Sequence, residues 1–548
     1  MSHFKPMLPK NLKLPTQWWP CGLASLFVIS AGLIGPSAAW AQAAMPQATG
    51  ASATFEIKGF DIKGDVPITS AESSRLLAPF IGPGATIDTL QKATAALEAG
   101  LKAKGLALHR VALPPQEIGQ NVTLNIVKFV IGKVMLDGNT LYSQTNIRAS
   151  VPELKEGQAP NFGIMAIQTA IANENPGKQI QVSLKESEEA DKIDTVILVK
   201  EAPPWNLSAG LSNTGSDATG TDRFSLVGGH SNVAGLDHQF SGAYTTSLQR
   251  IKDVKQLGLN YRIPLYARGA VVGVSYTNSD VVGSFGTFSS SGAGQTLGVN
   301  YNHYLQPDGG QRGNLTLGID EKRFNATQIN GITMQGQQDR SSRPLTLGYS
   351  SRTEGDDVVR GYNVELAMNL PGDAGNGLAA YQSEDPRVSN VNWRAVRGGG
   401  NYLAATPTGW LWGLRGQFQY AATALISGEQ FGLGGSTSVR GTGERPISGD
   451  SGWFVSLETT TPNLQPGLRA VGFVEAGRLF SHDNWLNANK PAADHLLGAG
   501  LGLRYTLGSY ALTLDWARIY KGSVLSIAGQ ALPQTGDQQI HLNLTYRF

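Results

Sequence analysis

Arg440 is the cation around which a site can be built. It stands in the stretch Ser427 to Glu444, S-G-E-Q-F-G-L-G-G-S-T-S-V-R-G-T-G-E, within the longest interval between strand-like segments, Leu425 to Asp450. A guanidinium offers five donors in a planar fork and grips a carboxylate at two points. Phe473-Val474-Glu475-Ala476-Gly477 supplies a candidate acceptor. If that strand crosses a membrane, Glu475 cannot favourably face lipid and must be aimed inward. Two readings stand at this point. Arg440 is a solvated loop cation, the common state of an arginine, or it folds inward onto Glu475.

Catalytic constellations find little support. The eight histidines show no metal-ligand spacing, and no G-x-S-x-G is present. Gly498, Gly500 and Gly502 lie within an alternating strand with no helix after them, so they are not a dinucleotide loop. Asp356-Asp357 falls in an expected tight turn. No convergent acid, base and nucleophile can be named, so an enzyme is not expected. No cofactor or nucleotide site is expected either.

The elements that must position Arg440 and Glu475 are strands. From Trp205 to Phe548, alternation dominates. Trp410, Trp412, Leu414, Phe418 and Tyr420 share a face opposite Arg415, Gln417 and Gln419. Val364, Leu366, Met368 and Leu370 oppose Glu365 and Asn369. Leu497, Ala499, Leu501, Leu503, Tyr505 and Leu507 oppose Gly498, Gly500, Gly502, Arg504 and Thr506; Tyr510, Leu512, Leu514 and Trp516 oppose Thr513 and Asp515. In the last stretch, Ile540, Leu542, Leu544, Tyr546 and Phe548 oppose His541, Asn543, Thr545 and Arg547. A period of two with one apolar face marks strands between two different solvents. About 16 such strands can be placed, an even number as bacterial barrels require. Gly508-Ser509, Thr406 to Gly409 and Glu354 to Asp357 are tight turns, whereas Asp280 to Gly294, Asn325 to Asp339 and Leu425 to Asp450 are long. Short turns at one rim and long loops at the other are the asymmetry of a membrane barrel.

The start of the chain reads as a leader. Lys5, Lys10 and Lys13 precede the uncharged apolar run Cys21 to Gly35, and Ala39-Trp40-Ala41 offers a cleavage site. Cleavage after Ala41 leaves 548 − 41 = 507 residues and takes the formal charge from +2 to 2 − 3 = −1. The basic precursor therefore says nothing about nucleic acid, and none is expected as a partner. Cys21 is the only cysteine, so the mature chain has neither disulfide nor thiol chemistry. No other segment approaches 18 apolar residues in a row.

Between the short segment 42–53 and Pro203-Pro204, helices and strands mix. Phe55, Ile57, Phe60 and Ile62 mark an opening strand; Leu90, Ala93, Leu97 and Leu101 recur at helical spacing up to Lys104-Gly105; Val111 with Leu113, then Val122, Leu124 and Ile126, mark strands. The order repeats with Val134 and Leu136, a helix over Met165 to Asn173, then Ile180, Val182 and Leu184, and Val196 and Leu198. Two copies of a module of about 75 residues fit, a normal size for a small αβ unit.

Taken together, these features resemble the TpsB transporters of two-partner secretion, relatives of the barrel-assembly factor BamA. Val439, Arg440 and Gly441 match the family's Val-Arg-Gly-Tyr loop tip, with Thr442 for the tyrosine. Phe473, Glu475 and Gly477 match its Phe-x-Asp-x-Gly motif, with Glu for Asp. Leu113-Pro114-Pro115-Gln116-Glu117-Ile118 looks like the end of a first POTRA domain and Pro203-Pro204-Trp205 like the entry to the barrel. The resemblance implies a leader (1–41), POTRA domains at 54–130 and 131–202, and a transmembrane barrel at 203–548 with an in-folding loop at 425–450. It favours the inward Arg440–Glu475 pair. It makes Tyr546 and Phe548 an assembly signal read by the barrel-assembly machinery. It further implies an outer-membrane pore, its POTRA domains in the periplasm. The cargo would be a large β-helical exoprotein, captured unfolded and exported without nucleotide hydrolysis. A BamA-like insertase is the alternative. Many family members begin with a plug helix and linker; Gln42 to Ala53 spans only about 18 Å as a helix, too short for both.

Overall fold

A computed structural model describes residues 54–548 apart from 118, 217–218, 286, 291, 327, 330–331, 334–335, 488 and 526–531. The expected leader and the segment 42–53 lie outside the described residues, as does Ile118.

Two αβ units come first, each ordered strand, helix, helix, strand, strand. The first comprises Gly59–Gly64, Ser70–Leu77, Ile87–Ala103, His109–Ala112 and Asn121–Lys128. Asn121–Lys128 is central, parallel to Gly59–Gly64 and antiparallel to His109–Ala112. The second comprises Val130–Asp137, Gln144–Ala149, Phe162–Ala172, Lys178–Glu186 and Lys192–Glu201, again with the last strand central. Leu90, Ala93, Leu97 and Leu101 face Val122, Leu124 and Ile126 across the first core, so one stripe of the helix meets one face of the sheet. The opening strand is broken. Phe55–Ile57 pairs with Gly82–Ala85, and only Gly59–Gly64 enters the sheet. The Ser70–Leu77 helix begins at a capping box: Glu72 N–H donates to Thr69 Oγ1 (3.3 Å) and Thr69 N–H to Glu72 Oε2 (3.2 Å).

The rest of the chain closes into an antiparallel barrel running from Trp205–Ser212 to Gln538–Arg547. Arg340–Ser342 and Pro344–Glu354 form one stave interrupted at Arg343, which makes 16 staves in all. Outward positions such as Trp412, Leu414, Phe418, Tyr420, Leu501 and Leu503 are exposed, as a lipid-facing band requires. Connections alternate as the pattern required. Gly508-Ser509 links Ala493–Leu507 to Tyr510–Lys521, whereas the longest interval separates Leu411–Ala421 from Ser451–Thr460. One long loop, between Val358–Asn369 and Arg394–Ala405, carries the helix Leu378–Glu384. Alternation cannot reveal so short a helix.

The first and last staves meet over five register pairs, Ser212↔Asn543 to Ser208↔Arg547. Thirteen pairs join Leu468–Phe480 to Ala493–Leu507. Asn213 prolongs the short ladder with its side chain: Leu542 N–H donates to Asn213 Oδ1 (2.8 Å) and Asn213 Nδ2 to Ile540 O (2.7 Å).

The second αβ unit packs on the short-turn rim. Ile131, Ile171 and Val199 share a core with Tyr266, Val271 and Tyr304 of the barrel. Lys178 forms a buried ion pair with Asp237 on the turn between Arg223–Val233 and His238–Thr246. Tyr266 Oη also donates to Asp237 (2.9 Å), and Asn146 Nδ2 donates to Gly235 O (2.7 Å).

Candidate functional site: the loop tip inside the barrel

The loop after Leu411–Ala421 turns back into the barrel. A two-stranded ladder, Phe431–Leu433 with Ile447–Gly449, stiffens its arms. Its apolar tip residue Val439 is fully buried among Leu433, Phe454, Leu496 and Ile519. Burial of this side chain draws the next residue, Arg440, into the lumen, where it is 5% exposed.

Three inward-facing carboxylates surround that guanidinium. Glu475, on Leu468–Phe480, accepts from Arg440 Nε (2.9 Å) and from the Arg440 backbone N–H (2.8 Å), and lies 2.7 Å from Nη2. Glu458, on Ser451–Thr460, accepts from Nη2 (2.9 Å), and Asp515, on Tyr510–Lys521, from Nη1 (3.0 Å). Arg504 Nη1 holds the other oxygen of Asp515 at 2.6 Å. The guanidinium carbon lies 3.3 Å from the Phe473 ring centroid, a cation–π contact. Each nitrogen of the fork thus has a carboxylate partner and the plane rests on a π face, the arrangement a buried arginine needs.

Glycines make room for the tip. Gly441 has φ +102°, a conformation that side-chain-bearing residues rarely adopt, and its N–H donates to His541 Nε2 (3.2 Å). A Cβ on Gly477 would come within 2.6 Å of Leu433, one on Gly500 within 2.5 Å of Phe473, and one on Gly498 within 2.9 Å of Arg440 O. Thr442, standing where the family motif has an aromatic, closes the tip on itself: its hydroxyl accepts from Gly435 N–H (3.0 Å) and donates to Gly443 O (3.0 Å).

The base of the loop has its own anchors. Asp450 is buried and accepts from Arg387 Nη1 (2.8 Å), Leu425 N–H (3.0 Å) and His482 N–H (2.9 Å). Glu429 accepts from Arg397 Nη2 (2.8 Å) and Ser342 Oγ (2.7 Å).

The structure thus brings Val439, Arg440, Gly441, Phe473, Glu475 and Gly477 together. Tyr546 and Phe548 lie elsewhere, at the short-turn rim, where the Tyr546 ring packs on Tyr510 (4.7 Å) and on Phe548 (4.8 Å). Sequence reasoning did not single out Glu458, Asp515, His541 or Gly498 as site residues. The signal was there for Asp515 and the glycines, since both sit opposite the apolar face of their strands.

A model of the haemolysin secretion/activation protein family ShlB/FhaC/HecB matches residues 191–505. An outer membrane transporter CdiB of Escherichia coli is 24% identical over 472 residues, covering 83% of this chain and 77% of its own. The heme/hemopexin transporter protein HuxB of Haemophilus influenzae is 20% identical over 491 residues, covering 85% and 83%. Among solved structures, CdiB from Escherichia coli superposes with a TM-score of 0.74 at 19% identity, covering 92% of this chain and 93% of its own. CdiB from Acinetobacter baumannii gives 0.69 at 16% identity, covering 91% and 90%.

Proposed function

The chain belongs to the haemolysin secretion/activation protein family ShlB/FhaC/HecB, and from that premise we propose an outer-membrane secretion pore that takes an unfolded partner from the periplasm to the cell surface. The observation that carries this reading is the loop tip, which is folded into a closed barrel and pinned there by Arg440. A passive porin has no use for a charged lock joining a long-loop rim to the lumen wall, or for two modules at the opposite rim. An export pore needs both. The tip keeps the resting pore shut, and the modules present cargo to its mouth.

Capture works by strand addition. Gly59–Gly64 and His109–Ala112 are edge strands of the first sheet, and an extended cargo segment pairing with such an edge gains main-chain hydrogen bonds, with pockets beside it for selectivity. The cargo is a large exoprotein that folds into a β-helix only outside the cell. Export runs on that folding and not on nucleotide hydrolysis. Val439, Arg440, Gly441, Phe473, Glu475 and Gly477 form the lock, while Tyr546 and Phe548 present the barrel to its assembly machinery.

Deleting Thr54 to Val130 tests the capture step. The barrel should still assemble and shift on a gel between unheated and boiled samples, but the partner should stay in the periplasm. Secretion at the normal level by the deleted form would remove the capture role from the first module.

A further inference from the structure

A second lumenal arginine lies beside the lock and holds none of its carboxylates. Among the described residues, Arg415 has no hydrogen bond or ion pair; its guanidinium rests over the Phe454 ring, 5.1 Å from the centroid. It projects inward from Leu411–Ala421, whose outward face carries the exposed Trp412 and Leu414. The register sets Arg415 opposite Ser456 and Ser456 opposite Glu475. Ser456 Oγ already donates to Glu475 Oε1 (3.2 Å). Along this row, two inter-strand spacings, about 9–10 Å of backbone, separate Arg415 from Glu475. Glu458 is nearer. It faces Gly413 and is therefore the diagonal neighbour of Arg415, with Cβ atoms about 7–8 Å apart. Its Oε2 takes Arg440, but its Oε1 is buried without a hydrogen-bond partner.

An unpaired cation beside an unpaired carboxylate oxygen marks a second arrangement of the same charges. Withdrawal of Arg440 leaves Asp515 with Arg504. It leaves Glu475 with the neutral Ser456 hydroxyl and takes Arg440 from Glu458, and stranding buried carboxylates strongly opposes opening. We propose that Arg415 is the exchange partner of the lock: as the tip leaves, its guanidinium moves from Phe454 to Glu458 and, past Ser456, towards Glu475. The carboxylates then stay paired in both states, and opening replaces one arginine by another. This inference rests on the reading of the tip as a lock. Arg415 is a positioning residue and touches no cargo in this role.

Single-channel recording of the purified full chain in planar lipid bilayers tests it without any cargo. Each variant is first checked for assembly by its heat-dependent gel mobility. Arg440→Ala, the release control, should spend more time open. Arg415→Gln should spend about tenfold less time open, the effect of one lost charge-assisted hydrogen bond, while its resting loop stays protected from protease. If that variant does not assemble, Arg415→Met, which keeps an apolar stem over Phe454, serves in its place. Glu458→Gln alone loosens the hold on Arg440 and is the reference for the double variant; on that background Arg415→Gln should no longer lower the open fraction, because no bare carboxylate remains there. A merely structural Arg415 would lower it equally on both backgrounds. An unchanged open fraction in Arg415→Gln, or a loss that Glu458→Gln leaves in place, overturns the exchange and spares the export reading. An Arg440→Ala channel that opens no more than the unaltered protein overturns the lock and the exchange with it.

Discussion

At the level of single residues, one guanidinium joins strands that are not all neighbours: Glu458 and Glu475 lie on adjacent staves, and Asp515 lies two staves beyond Glu475. Truncating one member of a sealed ion pair costs about 3–5 kcal/mol, and a wet lumen lowers that figure. Arg440→Ala should therefore free the loop to protease and abolish export while the barrel still assembles. Arg440→Lys should rescue poorly, because a point charge cannot reach three carboxylates at once. A double-mutant cycle with Glu475→Ala, scored by secretion and loop cleavage, should be strongly non-additive; additive losses would return Arg440 to the role of an ordinary loop cation. The partnership with Glu475 was legible because both residues sit in motifs. Glu458 was not, because strand parity says which face a side chain takes and not how deep a distant loop will reach. The substitution at Thr442 was visible, but its hydrogen bonds back to the tip depend on a turn that no local pattern announces.

At the level of elements, Ala493–Leu507 shows why alternation was readable. Its lipid face carries leucines and its lumen face carries glycines, so two solvents write two different sequences on one strand. Of the glycines that fail as a nucleotide loop, Gly498 is the floor on which the tip sits, while Gly500 and Gly502 make room for Phe473 and Asp515 of the wall. Gly498→Ala adds a methyl within 2.9 Å of Arg440 O and 3.1 Å of Val439, and overpacking of this kind costs about 1–3 kcal/mol. The variant should assemble normally but show faster cleavage in 434–444, with every charge of the lock intact. Unaltered cleavage would mean that the floor gives way instead. The helices Ser70–Leu77 and Leu378–Glu384 escaped the sequence reading because two turns supply too few positions to establish a period of 3.6. The opening strand read as continuous because Phe55, Ile57, Phe60 and Ile62 lie so close together, yet their parity changes between Ile57 and Phe60, at the break where pairing switches from Gly82–Ala85 to Asn121–Lys128.

At the level of the whole molecule, the second αβ unit is fixed to the barrel rather than tethered to it. Burial pushes the Lys178 ammonium below its usual range, and Asp237 opposes that shift. Lys178→Met leaves Asp237 to the neutral donors Tyr266, Ser150 and Asn175. Amides in Gln144–Ala149 and the 234–237 turn should then exchange faster with deuterium, by an amount below the figure of about 3–5 kcal/mol for full pair disruption. The barrel staves should stay protected. Equal exchange in the two proteins would mean that the shared core of Ile131, Tyr266 and Tyr304 is enough to hold the unit.

The ring is joined by its shortest ladder between the partners farthest apart in sequence: Asn213 and Leu542 are separated by 329 residues. Contacts so non-local are the slowest to form, since the chain is ordered long before they reward it. Closure is then the final step of folding, and Asn213, whose side chain adds to its own backbone bond with Leu542 beyond Ser212, acts as the latch that ends it. Asn213→Ala should reach the same yield of heat-shifted barrel in detergent refolding but approach it more slowly. If the two proteins close at equal rates, an earlier step sets the clock. If the variant lags, the time this pore needs to become a pore is set by a single asparagine at the seam.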